Sequence, residues 1–108
     1  MKEYPKFDLT GQVALVTAAA RGLGRAISLA LADAGADIAL GLRELTSGGE
    51  LAEQIGAMGR RVLPLQMDMT RMDQIFRAVD DAAAHFGKLD ILINNAGIAP
   101  ENLAENVR

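Results

Sequence analysis

The sequence predicts an α/β fold built on a parallel sheet, and three observations carry that prediction. Four short apolar runs alternate with three stretches of helical period, each helical stretch stops at a glycine, and no turn-rich tract is long enough to divide the chain. At 108 residues, half of them hydrophobic, there is material for one domain with a modest core, short for a complete doubly wound fold.

Residues 1–10 form a lead-in, and residues 12–17 read as the first strand. After Gly22 the apolar positions Leu23, Ala26, Ile27, Ala30, Leu31 and Ala34 follow the helix period, with Gly35 as a left-handed stop. Residues 37–42 read as a buried strand. Ser47 and Glu50 have capping-box spacing, Leu51, Ile55 and Met58 form a narrower stripe, and Gly59 ends the second helix. Residues 61–67 make the third strand, in which Pro64 argues against a central place because it cannot donate to a ladder. Thr70 and Asp73 are candidate caps for a third helix whose face is Met72, Ile75, Phe76, Val79, Ala82, Ala83 and Phe86, ending at Gly87. Residues 89–93 are the fourth strand, and residues 99–108 begin a new loop or helix. The alternation implies right-handed crossovers.

Composition excludes several functions. A net charge of -3 leaves no basic footprint for nucleic acid or an anionic membrane. With no cysteine there is no disulfide, thiolate catalysis or cysteine metal site, and a reducing cytoplasm is permitted. The opening residues lack an apolar signal core, and no apolar run approaches the ~18 residues of a membrane span. His85, the only histidine, has no second ligand in register and reads as a surface residue; the five methionines read as core filler. No metal site is expected.

The chemistry-bearing segments lie at strand ends. In Thr17-Ala18-Ala19-Ala20-Arg21-Gly22-Leu23-Gly24, Gly22 and Gly24 sit where a strand turns into a helix, a place at which backbone N–H groups can approach a pyrophosphate. Close packing of the helix on the sheet would need the same glycines. Asp68, followed by Met69, ends the third strand and suits either an adenine amino group or a plain turn. Asn94-Asn95-Ala96-Gly97 ends the fourth, offering a small-residue turn beside the same pocket, or a tie between strands. Three such segments at three strand ends are less easily accidental than any one.

With these in register, the chain resembles the amino-terminal part of a short-chain dehydrogenase/reductase, from Phe7 to about Ile98. The residues that carry the likeness are those from Leu9 through Thr17, the Arg21-Gly22-Leu23-Gly24-Arg25-Ala26 turn, Asp68, and Asn94 through Gly97. The resemblance implies a Rossmann-type doubly wound parallel sheet of order 3-2-1-4. It also implies a glycine turn on pyrophosphate, an aspartate reading adenine, and an Asn-Asn-Ala-Gly segment that supports the sheet and lines the cofactor cleft. The intact protein would be a cytoplasmic homo-oligomer acting on a small alcohol or ketone, loosely like the sugar and gluconate dehydrogenases or 3-oxoacyl reductases.

Ala18 departs from the family pattern, which places glycine there. If the backbone needs a positive φ, the β-carbon costs on the order of 1 kcal/mol and crowds the pyrophosphate, so Ala18→Gly is expected to tighten cofactor binding. At the end of the second strand, where an acidic residue about twenty positions on normally holds the NAD ribose diol, stand Leu42 and then Arg43. A guanidinium in place of a carboxylate suits the 2'-phosphate of NADP, with Arg21 reinforcing it; NAD stays open if Glu44 takes the diol. The candidate cofactor residues are therefore Thr17, Ala18, Arg21, Gly22, Leu23, Gly24, Leu42, Arg43, Asp68, Met69, Asn95, Ala96 and Gly97.

No catalytic residue is expected within the chain. The family uses a tyrosine with a lysine four positions later and a serine; Tyr4 is the only tyrosine, and Asp8 follows it at that spacing. The order 3-2-1-4 also leaves the apolar run 89–93 at an edge that a further strand should cover. Both points favour an incomplete domain, truncated after residue 108, that is inactive by itself. The alternatives are a non-catalytic dinucleotide-binding or interaction module and, fitting the glycine spacing less well, an extended epimerase.

Overall fold

The computed structural model describes residues 7–95, so Tyr4, Ala96, Gly97 and the segment 99–108 lie outside the described residues. In chain order the elements are β1 (Val13–Val16), α1 (Gly22–Asp33), β2 (Asp37–Leu42), a 3-10 turn (Leu45–Gly48), α2 (Gly49–Ala57), β3 (Val62–Gln66), α3 (Met72–Phe86) and β4 (Ile91–Ile93). All strand pairs are parallel and the order is β3-β2-β1-β4, as the sequence implied. Gly35, Gly59 and Gly87 take positive φ at the three helix ends.

Side-chain alternation splits the core in two. Ala14 and Val16 of β1 join Ile38, Leu40 and Leu42 of β2 under α1 and α2, where Leu51 and Ile55 complete the packing. Val13, Leu15 and Ala39 face the other way, onto Leu65, Ala78, Ala82 and Phe86 of β3 and α3. Two covered faces explain why β1 and β2 read as unbroken apolar runs rather than alternating ones. Pro64 is tolerated because β3 is an edge strand: Met67 N–H donates to Leu42 O, so by the strand's two-residue alternation Pro64 presents its nitrogen away from β2. At the opposite edge β4 leaves Leu92 57% exposed.

Local expectations need correction at several places. The 3-10 turn precedes α2, whose N-cap is Gly48; Ser47 Oγ donates to Glu44 O, and no capping box forms. A β-carbon on Gly48 would lie 2.5 Å from Leu42 Cδ1, so the chain tightens here to let Leu42 into the core. Thr70 and Asp73 do not cap α3 either. Its N-cap is Arg71, while Thr70 bonds back to Asp68 and Asp73 pairs with Arg71.

The buried helix faces are also rotated from the apolar stripes. On α1 they are Gly24, Ser28 and Ala32, small residues at a spacing of four, with Leu23 54% exposed. Ser28 Oγ satisfies itself on Gly24 O at 2.8 Å, which offsets the cost of its burial. On α3 Ala78 replaces Met72 and Phe76, both solvent-facing. Of the methionines described, only Met67 is fully buried. His85 is exposed, its ring edge-to-face with Phe86 at 4.7 Å.

Candidate functional site

The strand order reverses between β1 and β4, and in open parallel sheets the crevice outside the carboxyl ends at such a reversal is where ligands sit. A cleft of about 770 Å³ opens there. Ala18, Ala19, Ala20, Arg21 and Leu23 from the β1–α1 turn form one wall. Leu42, Arg43, Glu44 and Ser47 follow β2, and Asn95 stands at the end of β4.

The turn is built by close approach. Ala18 has φ +51, in the left-handed region, and among the described residues it is the only non-glycine there. Gly22, at φ +61, has nothing within 4 Å of where a β-carbon would stand. Gly24 is the reverse case: a β-carbon would lie 2.3 Å from Ala18 O and 2.6 Å from Asn95 Nδ2. Thus Gly22 leaves open space at the start of α1, and Gly24 lets α1 press against the end of β4.

Thr17 ties the two central strands together. Its N–H donates to Ile93 O at 3.0 Å, and its Oγ1 accepts the Asn95 N–H at 2.8 Å. Asn95 Nδ2 donates to Ala18 O at 3.2 Å, whereas Asn95 Oδ1 is buried with no partner among the described residues. The reversed amide would set two acceptors against each other, which fixes its orientation.

The charges are arranged unequally. Arg25, Arg61 and Arg71 each pair with a carboxylate, but Arg21 and Arg43 have no carboxylate within ion-pair distance among the described residues. Asp68 lies beside this wall without lining it. Its Oδ1 accepts from Thr70 Oγ1 at 2.7 Å and Thr70 N–H at 2.9 Å, and Gln74 Oε1 receives the Asp68 N–H. Those Thr70 bonds, hydroxyl first, hold the carboxyl below the usual aspartate range, and the Arg43 and Arg71 charges add to the effect. Asp68 Oδ2 makes no hydrogen bond among the described residues.

Of the residues singled out from the sequence, the cleft gathers Ala18, Arg21, Leu23, Leu42, Arg43 and Asn95 on its lining. Thr17, Gly22 and Gly24 adjoin the lining residues in the chain without being among them. Asp68 lies near enough to Arg43 to feel its charge, and Met69 is packed against the α3-side core. Ala19, Ala20 and Ser47 were missed as lining residues: Ser47 read as a helix cap, and the alanines carry no chemical signal. No group of three or more potential metal ligands occurs among the described residues, and no described helix is long and apolar enough to cross a membrane.

Fold and cleft together define a Rossmann-type α/β protein. The family model for the short chain dehydrogenases matches residues 12–108, and the chain belongs to that family. It is 46% identical over 92 residues to 2-dehydro-3-deoxy-D-gluconate 5-dehydrogenase of Escherichia coli, covering 85% of this chain and 36% of that protein. A hydroxynaphthalene reductase-like protein of Metarhizium robertsii is 37% identical over 97 residues, covering 89% of this chain and again 36% of the relative. The chain thus spans little more than a third of these relatives.

Among solved structures, a short chain dehydrogenase from Mycobacterium paratuberculosis bound to NAD superposes with a TM-score of 0.78 at 34% identity, covering 85% of this chain and 39% of that one. A short-chain type dehydrogenase/reductase from Mycobacterium marinum gives 0.77 at 36% identity, covering 81% and 34%.

Proposed function

We propose that this chain is the cofactor-binding part of one Rossmann domain in an NAD(P)-dependent oxidoreductase that interconverts an alcohol and a carbonyl, and that it takes NADP in preference to NAD. The observation that carries the reading is the meeting, at one cleft, of an open glycine turn with two guanidiniums, Arg21 and Arg43, that have no carboxylate within ion-pair distance among the described residues. A pyrophosphate fits the open side of Gly22 at the start of α1, where unsatisfied N–H groups and the helix dipole favour an anion. Arg43 and Arg21 suit the 2'-phosphate. Leu42 is committed to the core against Gly48, so the first polar side chains after β2 are Arg43 and Glu44.

Asp68 Oδ2 is free to accept an adenine amino group, with Met69 beside it. Asn95 Oδ1, buried and unpaired among the described residues, is the candidate acceptor for a cofactor hydroxyl, and Ala96 and Gly97, next in the sequence, stay candidates with it. Bound nicotinamide would supply the hydride. The chain's own residues bind and orient it, and the proton-transferring serine, tyrosine and lysine come from outside these 108 residues. Relatives named for a sugar acid and for a hydroxynaphthalene match over this same stretch, which supports selection of substrate elsewhere in the intact protein. A small polar or sugar-like alcohol is the substrate class we favour, in a cytoplasmic homo-oligomer.

Titrating the purified chain with NADPH and NADH, followed by nicotinamide fluorescence, tests this. A charge-assisted phosphate contact is worth about 1.5–3 kcal/mol, so NADPH should bind at least about tenfold tighter. Equal or tighter NADH binding refutes the NADP preference, and binding of neither refutes the site. Turnover by the 108-residue chain alone would refute the assignment of chemistry to residues outside it.

A further inference from the structure

We propose that the Asn95 side-chain amide is a strut that holds Ala18 in its left-handed conformation and thereby sets the shape of the turn facing the cleft. An alanine at φ +51 is disfavoured roughly five- to thirtyfold against its ordinary conformations, so something must hold it. The peptide joining Ala18 to Ala19 is gripped on opposite edges. Its N–H, belonging to Ala19, donates to Gly41 O of β2 at 3.1 Å, and its carbonyl, belonging to Ala18, accepts Asn95 Nδ2 at 3.2 Å. On the other side of Ala18, Thr17 is anchored to Ile93 and Asn95. With the following peptide plane clamped and the preceding residue fixed, the dihedrals of Ala18 have no freedom left.

Gly24 makes the strut possible, because a β-carbon there would occupy the space of both the Ala18 carbonyl and the Asn95 amide. Asn95 is thus a positioning residue, acting on the cleft through Ala18. The effect on binding rests on the cofactor reading; the effect on backbone conformation does not.

The test compares the parent chain, Asn95→Ala, Ala18→Gly and the double variant. A positive φ brings a residue's own amide and α protons close, giving a strong intraresidue nuclear Overhauser effect. In the cofactor-free parent this should be strong at Ala18, and in Asn95→Ala it should fall as the alanine relaxes to negative φ. Persistence at full strength overturns the proposal. In NADPH titrations, Asn95→Ala should cost about fivefold more affinity in the parent than in the Ala18→Gly background, where no strain has to be held. Any direct contact of Asn95 Oδ1 with the cofactor is common to both backgrounds and cancels. Equal losses overturn the coupling. If no variant binds NADPH, the cofactor reading fails while the proton measurement still decides the strut. Should Asn95→Ala not fold, Asn95→Asp keeps the shape, sets an acceptor against Ala18 O, and should likewise weaken the Ala18 signal.

Discussion

Gly24→Ala is the sharpest perturbation this structure offers, because the obstacle to the new methyl group is backbone. Bringing the Ala18 carbonyl from 2.3 Å to ordinary contact at 3.4 Å requires a displacement of about 1.1 Å, in a peptide held from two sides. Overpacking of this severity costs about 3 kcal/mol, and loss of the Asn95–Ala18 hydrogen bond adds about 1. The better helix propensity of alanine returns about 1, leaving a net destabilisation of about 3 kcal/mol. In a domain of this size that lowers the melting temperature by roughly 10–20 °C. Urea unfolding followed by far-ultraviolet circular dichroism gives the free energy directly, with an unchanged slope confirming the same transition. Gly22→Ala is the control, since its methyl group meets nothing and only the φ of +61 is penalised, at about 1–2 kcal/mol. A Gly24→Ala loss below about 1 kcal/mol, or one no larger than the control, would falsify the steric argument.

Three further outcomes follow from the same geometry. Gly56 lies inside α2 with open space where an added methyl group would stand, so Gly56→Ala should raise stability by about 0.5–1 kcal/mol, read as an increased urea midpoint. Arg43→Ala should weaken NADPH at least about tenfold while leaving NADH within about twofold; equal losses for both would contradict a phosphate contact. The Val13 N–H and then Lys88 Nζ hold the Asp90 carboxyl below its usual range, so its contribution is full above the ordinary aspartate range near pH ~4 and lost as pH falls through the lower folded value. The stability gap between the parent and Asp90→Asn should therefore be widest near neutrality and close in acid; a gap constant from pH ~7 to ~3 would show that ionisation is not its source.

The legible parts of the molecule were those with a period or a stop signal. Strand and helix alternation, the three terminal glycines and the edge place of the proline strand all have local causes. Helix faces were less legible because α1 is seated by Gly24, Ser28 and Ala32, whose small size permits close approach but contributes little to an apolar stripe. The 3-10 turn before α2 escaped notice for a related reason: it answers to the packing of Leu42, at the end of the preceding strand, rather than to a cap between Ser47 and Glu50. At the cleft, the charged and glycine positions were readable from type and spacing. Ala18 was readable only as a departure from a family pattern, and its left-handed backbone is a property of the folded turn. The Asn95 amide bond to Ala18 O joins residues 77 apart, a relation that no local pattern encodes.

That separation has a kinetic meaning. β1 can pair with β2 after closing one short helical crossover, but the Thr17–Asn95 latch, 78 residues apart, closes only when the intervening helices and strands have been brought round. The cleft wall at Asn95 is thus assembled by the longest-range closure in the described chain. A ligand that touches both sides of the latch binds only molecules in which that closure is complete, and draws the population toward them by mass action.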